Sequence, residues 1–202
     1  MNRRSAPPPH ASGRSASAGA TPGTVRIIGG HWRGTKLPVA DLAGLRPTSD
    51  RVRETLFNWL QPMLPGARVL DLFAGSGALG LEAVSRGARE AVLVERDPAL
   101  AANLRQIAVR LPDGDRVQVV CADALAWLRD APGGFDLAFV DPPFAADLWR
   151  PALDAVAGRM AGDAWLYVEA PHEADATPAA DWRPHREGRT RDVRYAVYRR
   201  GA

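Results

Sequence analysis

The chain has 202 residues, 46% of them apolar, and a formal net charge of +3. That length fits one domain with a short extension, and that composition supplies a full core. No apolar run approaches the ~20 residues that cross a bilayer, and the single cysteine, Cys121, excludes a disulfide framework and a cysteine-held metal cluster.

The charge is unevenly placed. Residues 1–65 carry nine basic and three acidic side chains, residues 66–181 ten and eighteen, and residues 182–202 seven and two. An acidic body with basic ends suggests a polyanion held by the ends. Lys36 is the only lysine beside 25 arginines, which reads as a GC-rich coding genome and weakens the meaning of any single arginine.

Residues 1–23 are mostly Ala, Ser, Pro, Gly and Arg, without an acidic residue. They cannot bury enough apolar surface to offset ordering entropy, so a disordered tail is expected. It lacks the apolar stretch of a secretory signal. It fits an organellar transit peptide or, given the arginine bias, a bacterial tail.

Residues 25–28 and 31–37, around Gly29-Gly30, read as a short hairpin. Arg26, His31, Arg33 and Lys36 are its polar positions, with Trp32 among them. Basic residues beside an aromatic can grip phosphates and stack on bases. A solvated hairpin with Trp32 buried is the plainer alternative. Ser49 or Asp50 then caps a helix whose apolar face is Val52, Leu56, Trp59 and Leu60. Arg46, Arg51 and Arg53 lie at or near its start, where the helix dipole disfavours cations. They face RNA phosphate, close over a cofactor, or form a solvated basic face.

Residues 69–73 read as a buried strand that breaks into Gly75-Ser-Gly77. A helix follows over 78–85, with Gly87 as its C-cap. Gly75, Gly77 and Gly80, with Glu95 about 20 residues on, satisfy the dinucleotide fingerprint. Asp71 two residues before Phe73 instead resembles the first motif of S-adenosylmethionine methyltransferases. A second strand over 91–95 places Glu95 to accept ribose hydroxyls. Asp97-Pro98 opens a helix to about 111. A third strand over 116–121 follows, with Cys121 in the core, and Asp123 caps a helix over 124–129.

A fourth strand, 135–140, ends in Asp141-Pro-Pro-Phe144. Two prolines stop sheet pairing and stiffen the backbone. They aim the Asp141 carboxylate and the Pro142 carbonyl at one point, which suits a planar exocyclic amine, and Phe144 offers a face for a base. Trp149, Leu153, Val156 and Met160 form the apolar face of another helix. A strand over 164–170, a turn region over 178–184 and an edge-like strand over 192–199 complete the chain.

These blocks together resemble the ribosomal RNA small subunit methyltransferase D family. They are residues 26–34 and 46–60, the glycine turn through 83, and Val140 to Phe144. The resemblance runs from about Arg26 to Arg199 and leaves out 1–23 and 169–181. It implies a class I S-adenosylmethionine-dependent (Rossmann-like) α/β fold. The sheet has seven strands, parallel but for one reversed edge strand, with helices on both faces and an N-terminal β-hairpin extension.

Its implied organisation is a tail (1–23), a basic RNA-facing hairpin and helix (24–64) and a methyltransferase domain (65–202). The activity it implies is methylation of the exocyclic N2 of a guanine in 16S rRNA of the assembled or late-assembling small subunit. It implies a cytoplasmic monomer with S-adenosylmethionine as cofactor, S-adenosylhomocysteine as product and no metal. Asp141, Pro142 and Phe144 would hold the guanine. Asp71, Phe73, Ala74, Gly75, Ser76, Gly77, Glu95, Arg96, Asp123 and Ala124 would hold the cofactor. Arg26, His31, Arg33, Lys36, Arg46 and Arg51 would meet RNA. The rivals are a DNA adenine or protein glutamine methyltransferase with a similar turn, a nicotinamide-dependent oxidoreductase, and a non-catalytic RNA-binding assembly factor.

Overall fold

The computed structural model describes residues 23–39 and 49–201. The expected tail, Gly23 apart, and Arg46 lie outside the described residues.

A two-stranded antiparallel sheet, β1 (Gly23–Arg26) and β2 (Lys36–Val39), precedes a seven-stranded sheet. The seven strands are β3 (Arg68–Asp71), β4 (Glu90–Glu95), β5 (Val117–Cys121), β6 (Phe135–Val140), β7 (Met160–Pro171), β8 (Trp182–Arg189) and β9 (Val193–Arg200). The helices are α1 (Asp50–Leu60), α2 (Ala78–Ser85), α3 (Pro98–Arg110), α4 (Ala124–Leu128) and α5 (Trp149–Ala157). The spatial order is β5-β4-β3-β6-β7-β9-β8. The first five are mutually parallel, and β9 runs antiparallel to both neighbours.

The central strands are apolar without alternation because both faces are covered. Ala91 to Val94 are all buried. One core lies under α1, α2 and α3 and takes in Val25, Ile27 and Leu37 of the N-terminal segment. The other lies under α4 and α5. Two caps form as the sequence indicates: the Ser49 hydroxyl accepts from Val52 N–H, and Asp97 from the N–H groups of Ala99 and Leu100.

The chain moves outward from β3 through β4 to β5, then returns to place β6 on the other side of β3. This reversal opens a crevice at the carboxyl ends of β3 and β6, where ligands bind in such sheets.

Several expectations are corrected. The hairpin strands stop at Arg26 and resume at Lys36, and a wide turn intervenes. That turn is docked rather than free: His31 N–H donates to the Ser85 carbonyl at 2.8 Å and Trp32 N–H to the Ser85 hydroxyl at 2.9 Å. Trp32 is 5% exposed and its indole N–H donates to the Pro112 carbonyl, so it is a core anchor and not a stacking surface.

Arg53 is wholly buried. It donates to the Arg26 carbonyl and to Asp50, and its Nη1 lies 3.7 Å from Glu82. It therefore faces neither RNA nor cofactor. Met160 begins β7 instead of ending a helix, and Arg116 belongs to a short turn before β5. Cys121 is exposed, because β5 is an edge strand.

The expected turn region over 178–184 gives way at Trp182 to β8, which runs on through 185–189, a stretch with no strand signal; its exposed charged side chains hide a strand because only one edge is paired. The reversed strand β9 is thereby second from the edge.

Candidate active site

The glycine turn is assembled by the strands around it. Ala74 N–H donates to the Val94 carbonyl at 2.9 Å, Leu72 N–H to the Phe139 carbonyl at 3.2 Å, and Gly77 N–H to the Ala74 carbonyl. Gly75 and Gly77 have φ of +52° and +75°, a region that disfavours side chains. A Cβ on Gly77 would also meet Leu104 at 2.5 Å. The turn hands the chain to α2, whose first N–H groups point into the crevice end of the sheet.

Two carboxylates brace it. Asp71 is 1% exposed, and its Oδ2 accepts Gly80 N–H at 2.8 Å. Burial pushes its pKa up to about 7; the Gly80 hydrogen bond opposes the rise and the Glu95 charge adds to it. Glu95 is also buried, against the expectation of a carboxylate without a core role. Its Oε2 accepts Gly75 N–H and its Oε1 accepts Asp97 N–H, both at 2.8 Å. Each oxygen keeps a second lone pair.

Glu95 pairs in register with Cys121, and Ala122 N–H donates to the Glu95 carbonyl. The start of α4 therefore lies beside the end of β4. There Asp123 is exposed and caps α4 by accepting Ala126 N–H at 2.9 Å, while Ala124 is buried and Arg96 exposed.

Asp141 sits at the end of β6. Its Oδ1 is buried without a hydrogen-bond partner among the described residues. Burial, then the charges of Asp71 and Glu169, raise its pKa well above the usual carboxylate range. Pro142 is buried and Pro143 exposed. Phe144 is 42% exposed, its ring 5.9 Å from Trp149, which is fixed by its indole N–H on the Glu169 carbonyl.

Sequence reading missed Glu169 and Tyr167. Val140 opposes Val168, so Glu169 lies level with Asp141, and the Tyr167 hydroxyl donates to Glu169 at 2.7 Å. The signal was a lone acidic residue at the end of an otherwise apolar strand.

The structure gathers Asp71, Phe73, the glycine turn, Glu95, Asp123 and Asp141 at one end of the sheet. It separates the hairpin turn from them. Arg26, His31, Arg33, Lys36 and Arg51 are all exposed. His31 and Arg33, however, lie at the carboxyl end of α2, an eight-residue helix whose other end meets the glycine turn. That is about 12 Å of helix.

A nucleoside-bearing sulfonium fits these residues. The turn has glycine backbone where a ligand approaches, Glu95 is pre-aimed by two backbone donors, and Asp71 Oδ1 and Asp141 Oδ1 are buried acceptors without partners. No group of three or more potential metal ligands occurs among the described residues. No helix among them is long and apolar enough to cross a membrane.

Sheet order, glycine turn and the end of β6 define a class I methyltransferase that uses S-adenosylmethionine. The family described as "Conserved hypothetical protein 95" matches residues 25–199. The chain is 46% identical over 183 residues to "Ribosomal RNA small subunit methyltransferase D" of Escherichia coli (strain K12), covering 89% of this chain and 92% of that protein. It is 39% identical to the protein of the same name from Haemophilus influenzae, over 87% and 94% of the two chains. A solved structure, "Putative methyltransferase yhhF from Escherichia coli", superposes with a TM-score of 0.80 at 45% identity, over 89% and 99%. The chain belongs to the ribosomal RNA small subunit methyltransferase D family. The match extends through 169–181, so the likeness is continuous across that acidic stretch and does not skip it.

The raised pKa of Asp71 has a measurable consequence. Between about pH 4 and about pH 7 the native state keeps a proton that the unfolded chain has released, so stability falls as pH rises through this window. Asp141 acts in the same direction. Asp71→Asn keeps an acceptor for Gly80 and removes the charge. Without added cofactor, its melting temperature is expected to fall less between about pH 5 and pH 8 than that of the parent. Parallel melting curves would show that Asp71 is ionised throughout.

Proposed function

We propose that the enzyme methylates the exocyclic N2 amine of a guanine in 16S rRNA. The substrate is the assembled or late-assembling small ribosomal subunit, and the enzyme works in the cytoplasm as a monomer. The observation that carries this is Asp141. It presents a buried, unpartnered carboxyl oxygen at the end of β6, three residues before the exposed Phe144, with two prolines between.

S-adenosylmethionine supplies an activated methyl on its sulfonium. The glycine turn from Asp71 through Phe73, Ala74 and Ser76 seats the methionine part, with Gly75 and Gly77 admitting close approach. Glu95 holds the ribose. Arg96, Asp123 and Ala124 border the adenine. The guanine amine is a weak nucleophile because its lone pair is delocalised into the ring. Asp141 and the Pro142 carbonyl accept its two N–H groups and turn the lone pair outward, and Phe144 stacks on the ring. Held so, two reactants meet in line. With its raised pKa, Asp141 is a strong enough base to take the proton after transfer. The guanine leaves its stack to enter, a step that costs a few kcal/mol and less in a loop. Residues 24–64 serve as the RNA-facing extension, with Arg26, His31, Arg33, Lys36 and Arg51 toward phosphate.

The test uses tritium-labelled S-adenosylmethionine and small subunits from a strain lacking its own methyltransferase of this family. Label is expected in rRNA, as N2-methylguanosine by nucleoside mass. Label in DNA or protein would support the rival substrates and overturn this reading.

Glu95→Ala is expected to weaken S-adenosylmethionine binding by roughly 1–3 kcal/mol, the usual loss for charge-assisted hydrogen bonds. Part of it arises because Gly75 N–H loses its acceptor. Unchanged affinity by calorimetry would remove Glu95 from the site.

A further inference from the structure

The N-terminal hairpin turn lies at the carboxyl end of α2, away from the glycine turn and Asp141. The body between carries eighteen acidic and ten basic side chains over residues 66–181, and such a surface repels a polyanion. RNA entering at Asp141 needs a local cation.

Strand register identifies one. Val140 opposes Val168, so Asp141 is level with Glu169; Glu169 opposes Tyr195, and Tyr195 opposes Gly188. Asp141, Glu169, Tyr195 and Gly188 thus form a row across four strands, a span of about 14 Å at usual strand spacing. Arg189 and Arg191 follow Gly188 just beyond that row, at the end of the sheet where Asp141 stands, and both are exposed.

The turn that carries them is built rather than loose. Thr190 N–H donates to the Val193 carbonyl at 2.8 Å. The Thr190 hydroxyl accepts the N–H groups of Asp192 and Val193. His172 Nε2 lies 3.1 Å from the Thr190 carbonyl. Below it the Tyr195 ring fills the space a Cβ on Gly188 would need, at 2.3 Å, and stacks on Trp59. The neighbouring Arg194 is committed elsewhere, to the Ala174 carbonyl. Residues 182–202 hold seven arginines against Glu187 and Asp192.

We propose that the β8–β9 turn, through Arg189 and Arg191, is a second RNA-gripping arm that holds phosphates flanking the target nucleotide. This rests on the rRNA reading above. The hairpin anchors RNA at one end of the molecule, and the β8–β9 arm anchors it beside the pocket.

The test compares the full-length parent with Arg189→Glu/Arg191→Glu. Binding to small subunits from the strain lacking its own methyltransferase is measured across a salt series. The double variant is expected to bind more weakly and to flatten the slope of log affinity against log salt by about 0.7–0.9 per lost contact. S-adenosylmethionine affinity and melting temperature stay at the parent values. Arg189→Gln/Arg191→Gln should move the slope the same way by less. Arg129→Glu/Arg183→Glu makes the same charge change at exposed positions at the opposite end of the sheet and should keep the parent slope. An unchanged slope in the β8–β9 variant overturns the arm, and so does an equal loss in the Arg129/Arg183 control. If the parent labels rRNA while the β8–β9 variant binds normally, the arm alone fails. If the parent labels no rRNA, the underlying reading fails with it.

Discussion

Asp141→Ala is expected to lower methyl transfer roughly 10²–10⁴-fold, the range for a positioned proton acceptor. S-adenosylmethionine affinity should change little. The Asp141 oxygen is buried and unpartnered in the free protein, so it carries a desolvation penalty that is relieved when an amine arrives. Removing it should not unfold the chain, because no described contact depends on that oxygen; removal also lifts the repulsion from Asp71 and Glu169. Single-turnover transfer to small subunits, with calorimetry for the cofactor, separates the two effects. Parent-like turnover would remove Asp141 from the chemistry. An equal collapse of cofactor affinity would make it a cofactor residue instead.

Glu82→Ala is expected to destabilise the fold by roughly 3–5 kcal/mol, as breaking a buried ion pair does. Glu82 is wholly buried in α2. It accepts the N–H groups of Ile28 and Gly29 at 2.7 Å each and the Arg86 Nε at 2.7 Å, with Arg53 Nη1 at 3.7 Å. Alanine strands two backbone donors and leaves the buried Arg53 guanidinium with Asp50 and one carbonyl. For a chain of this size, the melting temperature should drop by about 6–20 °C. A loss below about 1 kcal/mol would mean that water replaces the carboxylate. The same change unfastens the N-terminal turn from α2, so binding to RNA should weaken more than binding to cofactor.

The catalytic half of the protein was legible in the sequence because its signals are local. Residues 69–73 and 135–140 are apolar runs ended by glycine or proline, and the caps at Ser49, Asp97 and Asp123 obey short-range hydrogen-bond rules. Glycine spacing alone left a dehydrogenase open; Asp141-Pro-Pro-Phe144 at the end of the next inner strand decided against it. The N-terminal half was harder. His31, Trp32, Arg33 and Arg53 look alike in sequence, as polar or aromatic residues in a basic stretch. Two are exposed and two buried, and the buried pair have partners on other elements: Ser85 and Pro112 for Trp32, and the Arg26 carbonyl and Glu82 for Arg53.

What the sequence by itself determined was the strand–turn–helix units and the residue types at their ends, because backbone preference and apolar periodicity act within a few residues. Tertiary structure alone decided which carboxylates cluster at one end of the sheet, since Asp71, Glu95, Asp141 and Glu169 meet only through the order and register of β3, β4, β6 and β7. It also decided that 182–189 is a strand. A sheet edge with charged side chains carries no apolar pattern, and β8 exists because β9 offers it a row of backbone partners.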